Sequence, residues 1–334
     1  MFGLNEGDKF AFLLLSKVYV DFPKALPTRL LDGTWVLDRY PASADLYWEK
    51  FIGTIRLSEI QEANLVVALT RAGDPHLLTE EDHKLRNNLA SIFSFLHLGG
   101  VVEYKEANLV VGSLTGGSAF VRQISNVEKY KPTRGYTRSP VTLSRLEQAA
   151  SLAASYGAFS VPPRSCVRFR RGLNVLLDGL RQENGQERLH QFVRALEALV
   201  LPEIASTRRQ FVHRCQTFAV ASPEAVDALG QAYDLRSDAE HLHEWNRSIG
   251  AASPEDAENI ALWRTRQMER LVCFAYSRVL TTPSVSRHFA DDTTLAAFWE
   301  SYDDATRVQL WGGRLDLSAI PIVRKYDQWG RASL

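Results

Sequence analysis

The sequence predicts an α+β protein, with a mixed α/β domain over residues 1–140 followed by an all-α domain over residues 141–334. Three observations carry this expectation. Apolar runs rich in branched and aromatic residues, bounded by glycine, proline or charge, fill the first third in the manner of strands. A glycine-rich, then basic and proline-punctuated passage over residues 112–140 suits a linker. Beyond it, apolar residues recur at the three-four spacing of helices that bury one face.

The elements follow in order. FAFLLLSKVYVDF from Phe10, TWVL from Thr34, ANLVVALT from Ala63 and VVEYKEANLVVG from Val101 read as strands. Between the last two, TEEDHKLRNNLASIFSFLHLGG opens with a capping-box pattern, Thr79 to Asp82, and closes at Gly99 and Gly100, so a helix is expected there. The hexapeptide EANLVV occurs from Glu62 and again from Glu106, but the flanks differ, which favours coincidence over duplication. GSLTGGS, from Gly112, lacks the lysine and spacing of a phosphate-binding loop. A domain boundary is expected near Pro140.

In the second half, Ser144 to Glu147 forms a capping box, and Ser222-Pro223 and Ser253-Pro254 each place a capping hydroxyl before a proline at the first helical position. Leu189, Phe192, Val193, Leu196 and Val200 make one apolar stripe. Ile260, Trp263, Met268, Leu271, Val272, Ala275 and Val279 make another, in which Met268 reads as core.

Composition narrows the function classes. Apolar residues are 45% and charged residues 23% of the 334, ordinary for a soluble globular protein with room for two domains. No apolar run approaches the roughly 20 residues of a membrane helix, and MFGLNEGDKF lacks the order of a signal peptide, so a cytoplasmic protein without a membrane partner is expected. Cys166, Cys215 and Cys273 form no CxxC pair and read as reduced, buried thiols. A net charge of zero excludes a broadly basic nucleic-acid-coating surface but permits local cationic clusters. Arg164, Arg168, Arg170 and Arg171 form one, and Arg208, Arg209 and Arg214 another; solvated helix faces are the plainer reading of both.

YDLRSDAEHLH, Tyr233 to His243, is the stretch that carries chemistry. Arginine is a permanent cation with a planar fork suited to phosphate, and histidine takes and gives a proton near neutrality. On a straight helix His241 lies about 140° around from Arg236, whereas His243 returns to within about 20° of it. An arginine in a first or irregular turn could instead swing toward His241. Glu197, at the border of its helix's apolar stripe, could orient Arg236 or a histidine; an exposed helix-edge carboxylate is the alternative. Tyr233 could stack on a base or serve as a packing aromatic. His213 with Cys215 lacks an orienting partner and reads as structural.

LNVLLDGL, LHQFVRALEALVLPE and AYDLRSDAEH, in that order within a helical half, resemble the HEPN superfamily, most closely its Apea-like branch of prokaryotic defence proteins. The resemblance spans roughly Arg164 to Leu280, and its diagnostic part is an arginine and a histidine with four to six residues between them on a late helix. It implies an all-α HEPN bundle that dimerises and a toxin-type or antiviral ribonuclease acting on RNA without metal or other cofactor. A regulatory partner or phage-derived trigger is compatible with that architecture, with the N-terminal domain as sensor. Arg236 would clamp phosphate, His241 or alternatively His243 would move protons, and Tyr233, Arg208 and Arg209 would contact RNA. The chain departs from the pattern at Ser237, where asparagine, aspartate or histidine is frequent, and at Leu242, where glycine is frequent. Asp238 and Glu240 would repel RNA unless turned away or holding an arginine.

Overall fold

The computed structural model describes residues 5–22, 26–31, 33–41, 46–76, 78–100, 102–116, 118–131, 139–159, 166–244 and 248–322. The protein is α+β, with a sheet in its N-terminal part and helices in its C-terminal part. It divides into two compact units, Met1–Lys129 with Arg138–Ala153, and Tyr130–Thr137 with Ala154–Leu334. Among the described residues no helix is long and apolar enough to cross a membrane.

The first unit is built on strands β1 (Asp8–Ser16), β2 (Val20–Asp21), β3 (Thr28–Leu31), β4 (Thr34–Leu37), β5 (Ala63–Ala72), β6 (Ala107–Thr115), β7 (Ser118–Asn126) and β8 (Val141–Thr142), with helices α1 (Leu46–Gln61) and α2 (Glu80–Leu98). Six strands form an antiparallel sheet in the order β3-β4-β5-β1-β6-β7. β1 lies inside it and is buried on both faces, which is why its sequence reads as an unbroken apolar run. Alternation sends Phe10, Phe12 and Leu14 to one face, where Ile52 and Ile60 of α1 pack, and Lys9 to the other, where it meets α2. The repeated EANLVV segments become β5 and β6, the two strands that flank β1.

Lys9 is fully buried yet paired. Its ammonium lies 2.5 Å from the Asp82 carboxylate and donates to Thr79 Oγ1 at 2.7 Å. The other Asp82 oxygen takes Arg122 of β7 at 2.5 Å, and Arg122 also donates to Ser113 Oγ and the Pro75 carbonyl. Because Asp82 also accepts the Thr79 backbone N–H at 2.8 Å, the predicted helix start doubles as an ionic tie from α2 to the sheet.

Several local expectations are corrected. The run from Phe10 is broken at Lys17, which takes a positive φ of 56°, so it yields two strands. The expected loop after Gly112 is instead the end of β6, a turn at Gly116, and β7. Gly112 sits inside a strand because a Cβ there would lie 2.3 Å from the Phe120 carbonyl and 2.6 Å from the Phe10 ring. The stretch after Val101 becomes strand only at Ala107. Helix α3 (Leu143–Phe159) starts one residue before Ser144, and Thr142 Oγ1 accepts the Arg145 N–H at 3.3 Å in the capping role expected of Ser144. Pro140 directly precedes β8, which pairs in parallel with β2.

The second unit holds α4 (Val167–Arg181), α5 (Gly185–Val200), α6 (Thr207–Cys215), α7 (Pro223–Glu240), α8 (Pro254–Thr281), α9 (Pro283–Ser286), α10 (Asp292–Glu300) and α11 (Asp304–Trp311). Ser222 and Ser253 cap α7 and α8 as expected, each accepting a backbone N–H at 3.1 Å ahead of a proline. Helix α5 buries Leu189, Phe192, Val193, Leu196 and Val200 and packs against α4, α6, α7 and α8. Each such side chain contributes about 1.5–3 kcal/mol by leaving water. Tyr276 of α8 donates its hydroxyl to the Ala195 carbonyl at 3.0 Å, in space left by Gly172 of α4. Arg188 of α5 and Glu269 of α8 add a buried ion pair at 3.1 Å.

Candidate functional site

Helix α7 begins at Pro223, so Arg236 stands near its end and not in a first turn. The helix stops at Glu240. His241 is its cap, with φ −93° and ψ 9°, and donates its N–H to the Ser237 carbonyl at 3.1 Å. Leu242 follows with a positive φ of 56°. The Leu242 N–H reaches the Ala239 carbonyl at 3.3 Å and the His243 N–H reaches Asp238 at 2.9 Å, a Schellman closure. Leu242 thus occupies the left-handed position where glycine is favoured. The straight-helix argument for His243 is overturned by this turn, because the chain has left the helix before either histidine.

Arg236 is largely buried and held from two sides. It donates to Glu197 of α5 at 3.3 Å and pairs with Glu240 one turn along α7. Its guanidinium lies 5.7 Å from the Tyr233 ring centroid, and that ring packs on Phe211 of α6 at 5.3 Å. Burial pushes the Glu197 carboxyl above its ordinary range, with Arg236 pulling the other way. Arg194 of α5 and Arg168 of α4, both exposed, act on the same carboxylate.

The acidic neighbours are accounted for. Glu240 holds Arg236, while Asp238 is nearly buried and accepts from the Ser248 N–H at 3.2 Å and from its hydroxyl. His243 Nδ1 lies 3.7 Å from Asp238, an ion pair when the ring is protonated. His241 is exposed, its ring centroid 5.9 Å from that of His243. Ser237 is half-buried on α7.

The expected RNA contacts are distributed differently. Arg208, in the first turn of α6, forms a bidentate pair with Asp234 at 2.7 and 2.8 Å, packed over Gly230, and that bond raises its proton affinity. Arg209 is exposed on the same helix. Arg214 turns inward and donates to the Val200 and Leu201 carbonyls, closing the C-terminus of α5. Arg168, Arg170 and Arg171 are exposed, and Arg164 lies outside the described residues.

No protein-family model, curated protein or solved structure matches this chain. Its site is therefore read from its own chemistry.

The three cysteines are buried, and burial drives the Cys215 thiol far up, so His213 has no thiolate beside it; its ring instead meets Asp304 at 2.9 Å. Among the described residues no group of three or more histidines, cysteines or carboxylates is arranged to hold a metal.

One side chain at the site was not anticipated. His190 lies on α5 seven residues before Glu197, on the same face to within about 20°. Burial, then Arg236 and Arg194, holds its proton affinity below the ordinary histidine value, with Glu240 and Glu187 opposing. The available signal was the i, i+7 relation to Glu197, and it was hidden because His190 interrupts the apolar stripe as an ordinary polar edge residue would.

Proposed function

We propose that the chain is a metal-independent endoribonuclease of HEPN type, working as a dimer in which two helical units bring their Arg236 and His241 together. The observation that carries this reading is the fixing of Arg236 between α5 and α7, one helical turn before the capping turn that bears His241 and His243. A side chain clamped by Glu197 and flanked by Tyr233 is preorganised for a planar oxyanion. In the reaction a base takes the ribose 2′ proton, O2′ attacks the adjacent phosphorus, the P–O5′ bond breaks, and an acid protonates O5′. Arg236 offsets the charge that grows on the phosphoryl oxygens. His241 acts as base or acid, its copy in the other chain taking the opposite role, and the N-terminal unit senses a trigger. DNA, lacking the 2′ hydroxyl, is spared.

A second reading is favoured by one observation. Both Glu197 and Glu240 engage Arg236, and a site that retains two carboxylates on its phosphate clamp suits a catalytically inactive HEPN module for dimerisation and binding of RNA or a partner. Labelled RNA incubated with purified protein in the presence of chelator separates the two. The ribonuclease reading expects cleavage by wild type that is lost in the Arg236→Ala, His241→Ala double variant; equal persistence of RNA in both favours the inactive module. Single His241→Ala and His243→Ala variants assign the histidine.

A further inference from the structure

We propose that Arg208 and Asp234 are positioning residues for Arg236: their ion pair fixes α6 on α7, and α6 sets the Tyr233 ring on which the Arg236 guanidinium rests. On the ribonuclease reading, from which this follows, Arg208 belongs to the scaffold of the site and not to its contacts with RNA.

Each link is a direct contact. Arg208 donates from Nε and Nη2 to the two Asp234 oxygens at 2.7 and 2.8 Å. It lies close over α7 because residue 230 is glycine; a Cβ there would stand 2.9 Å from Arg208 Nη2. One turn along α6, Phe211 is fully buried, and its ring centroid lies 5.3 Å from that of Tyr233. The Tyr233 ring in turn has the Arg236 guanidinium 5.7 Å from its centroid. Arg208 and Phe211 thus present one face of α6 to α7, where Gly230, Tyr233 and Asp234 receive it. Tyr233, Arg236 and Glu240 form the next stripe around α7. Tyr233 belongs to both stripes, so the position of α6 reaches the arginine through it.

The ring contact has a property that the ion pairs lack. Glu197 and Glu240 hold Arg236 through its N–H donors, the same donors a phosphate needs. An aromatic ring attracts a guanidinium through its π face and consumes no donor. The Tyr233 contact therefore persists when phosphate displaces a carboxylate, and it keeps the fork aligned as charge builds on the phosphoryl oxygens. Arg208 is differently occupied: the edge of its fork that suits a phosphate is already filled by Asp234.

Single variants Arg208→Gln and Asp234→Asn, their combination, and the charge swap Arg208→Asp with Asp234→Arg test this in the full chain. The first measurement requires no catalysis. In protein labelled with fluorotyrosine, the Tyr233 resonance, assigned by its loss in Tyr233→Phe, should move in the same direction in both single variants. No movement, or movements of opposite sign as the loss of two opposite charges would give through space, overturns the relay. The second measurement is RNA cleavage with chelator present. Either single variant should lose about 10–10²-fold in kcat with KM little changed. The combination should lose no more than either alone, and the swap should recover part of the rate. The slope of log affinity against log salt should match wild type. A slope smaller by about 0.7 in Arg208→Gln, with tighter binding in Asp234→Asn, would make Arg208 a phosphate contact and overturn its positioning role while leaving the ribonuclease reading intact. Unchanged kcat in the folded single variants does the same. Absence of cleavage by wild type overturns the ribonuclease reading itself, and the positioning role with it.

Discussion

Arg236 donates to the Glu197 carboxylate at 3.3 Å, a bond that ties the end of α7 to the last turn of α5. Its electrostatics are unequal. The cation is permanent, whereas burial pushes the Glu197 carboxyl up, so the folded protein holds that proton more tightly than the unfolded chain. The associated stability is complete below the unfolded value of 4.5 and is lost as the pH rises through the higher folded value. Glu197→Gln should therefore flatten the stability curve between those two values. Urea unfolding of both proteins across the range checks it, and parallel curves would count against the shift.

Glu240 engages the same guanidinium from the more exposed side. Phosphate must compete with it, so Glu240→Gln should tighten binding of a labelled RNA and steepen the dependence of log affinity on log salt by up to about one unit. Arg236→Ala should do the reverse. Fluorescence anisotropy at several salt concentrations measures both.

Leu242 occupies a left-handed position that costs an L-residue about 1–2 kcal/mol, and the residue is 92% exposed, so little packing offsets the strain. Leu242→Gly should raise the unfolding free energy of the helical unit by about 1 kcal/mol. Thermal unfolding with unchanged helix content would report it.

Gly172 and Asp82 test the two cores separately. A helix interior normally gains about 1 kcal/mol from glycine to alanine, but a Cβ at Gly172 would lie 1.9 Å from the Tyr276 hydroxyl and 2.6 Å from Ala198 Cβ. Gly172→Ala should therefore destabilise the helical unit, by about 1–3 kcal/mol.

Asp82 is the shared anion of Lys9 and Arg122. Burial alone would raise its carboxyl, yet Lys9, the Thr79 N–H and Arg122 together hold it below the ordinary range. Its stability is present above the unfolded value of 3.8 and lost as the pH falls through the lower folded value. Asp82→Asn should cost about 3–5 kcal/mol near neutrality and weaken the acid sensitivity of the first unit.

Much of the fold was legible because local and tertiary demands agree. Ser222, Ser253 and Thr79 mark helix starts, and the α5 stripe is buried as its spacing requires. Legibility failed where a contact distant in sequence decides the conformation. Gly112 reads as a loop residue until Phe10 is seen packed against it, and α1, unforeseen, carries exposed Tyr47, Phe51 and Ile55 with a non-helical break at Gly53. At the site, the place of Glu197 on the border of its apolar stripe left Arg236, a histidine or solvent as its partner, and spacing could not show that the left-handed turn at Leu242 ends the straight-helix relation to His243.

The chemistry of the RNA ends tests the central claim most directly. With chelator present, wild type should cleave an RNA substrate to a 2′,3′-cyclic phosphate and a 5′ hydroxyl, and should leave the same sequence intact when every ribose carries a 2′-O-methyl group. Cleavage of the methylated strand, or products ending in a 3′ hydroxyl and 5′ phosphate, would contradict attack by the 2′ oxygen and with it the role given to Arg236 and its histidines.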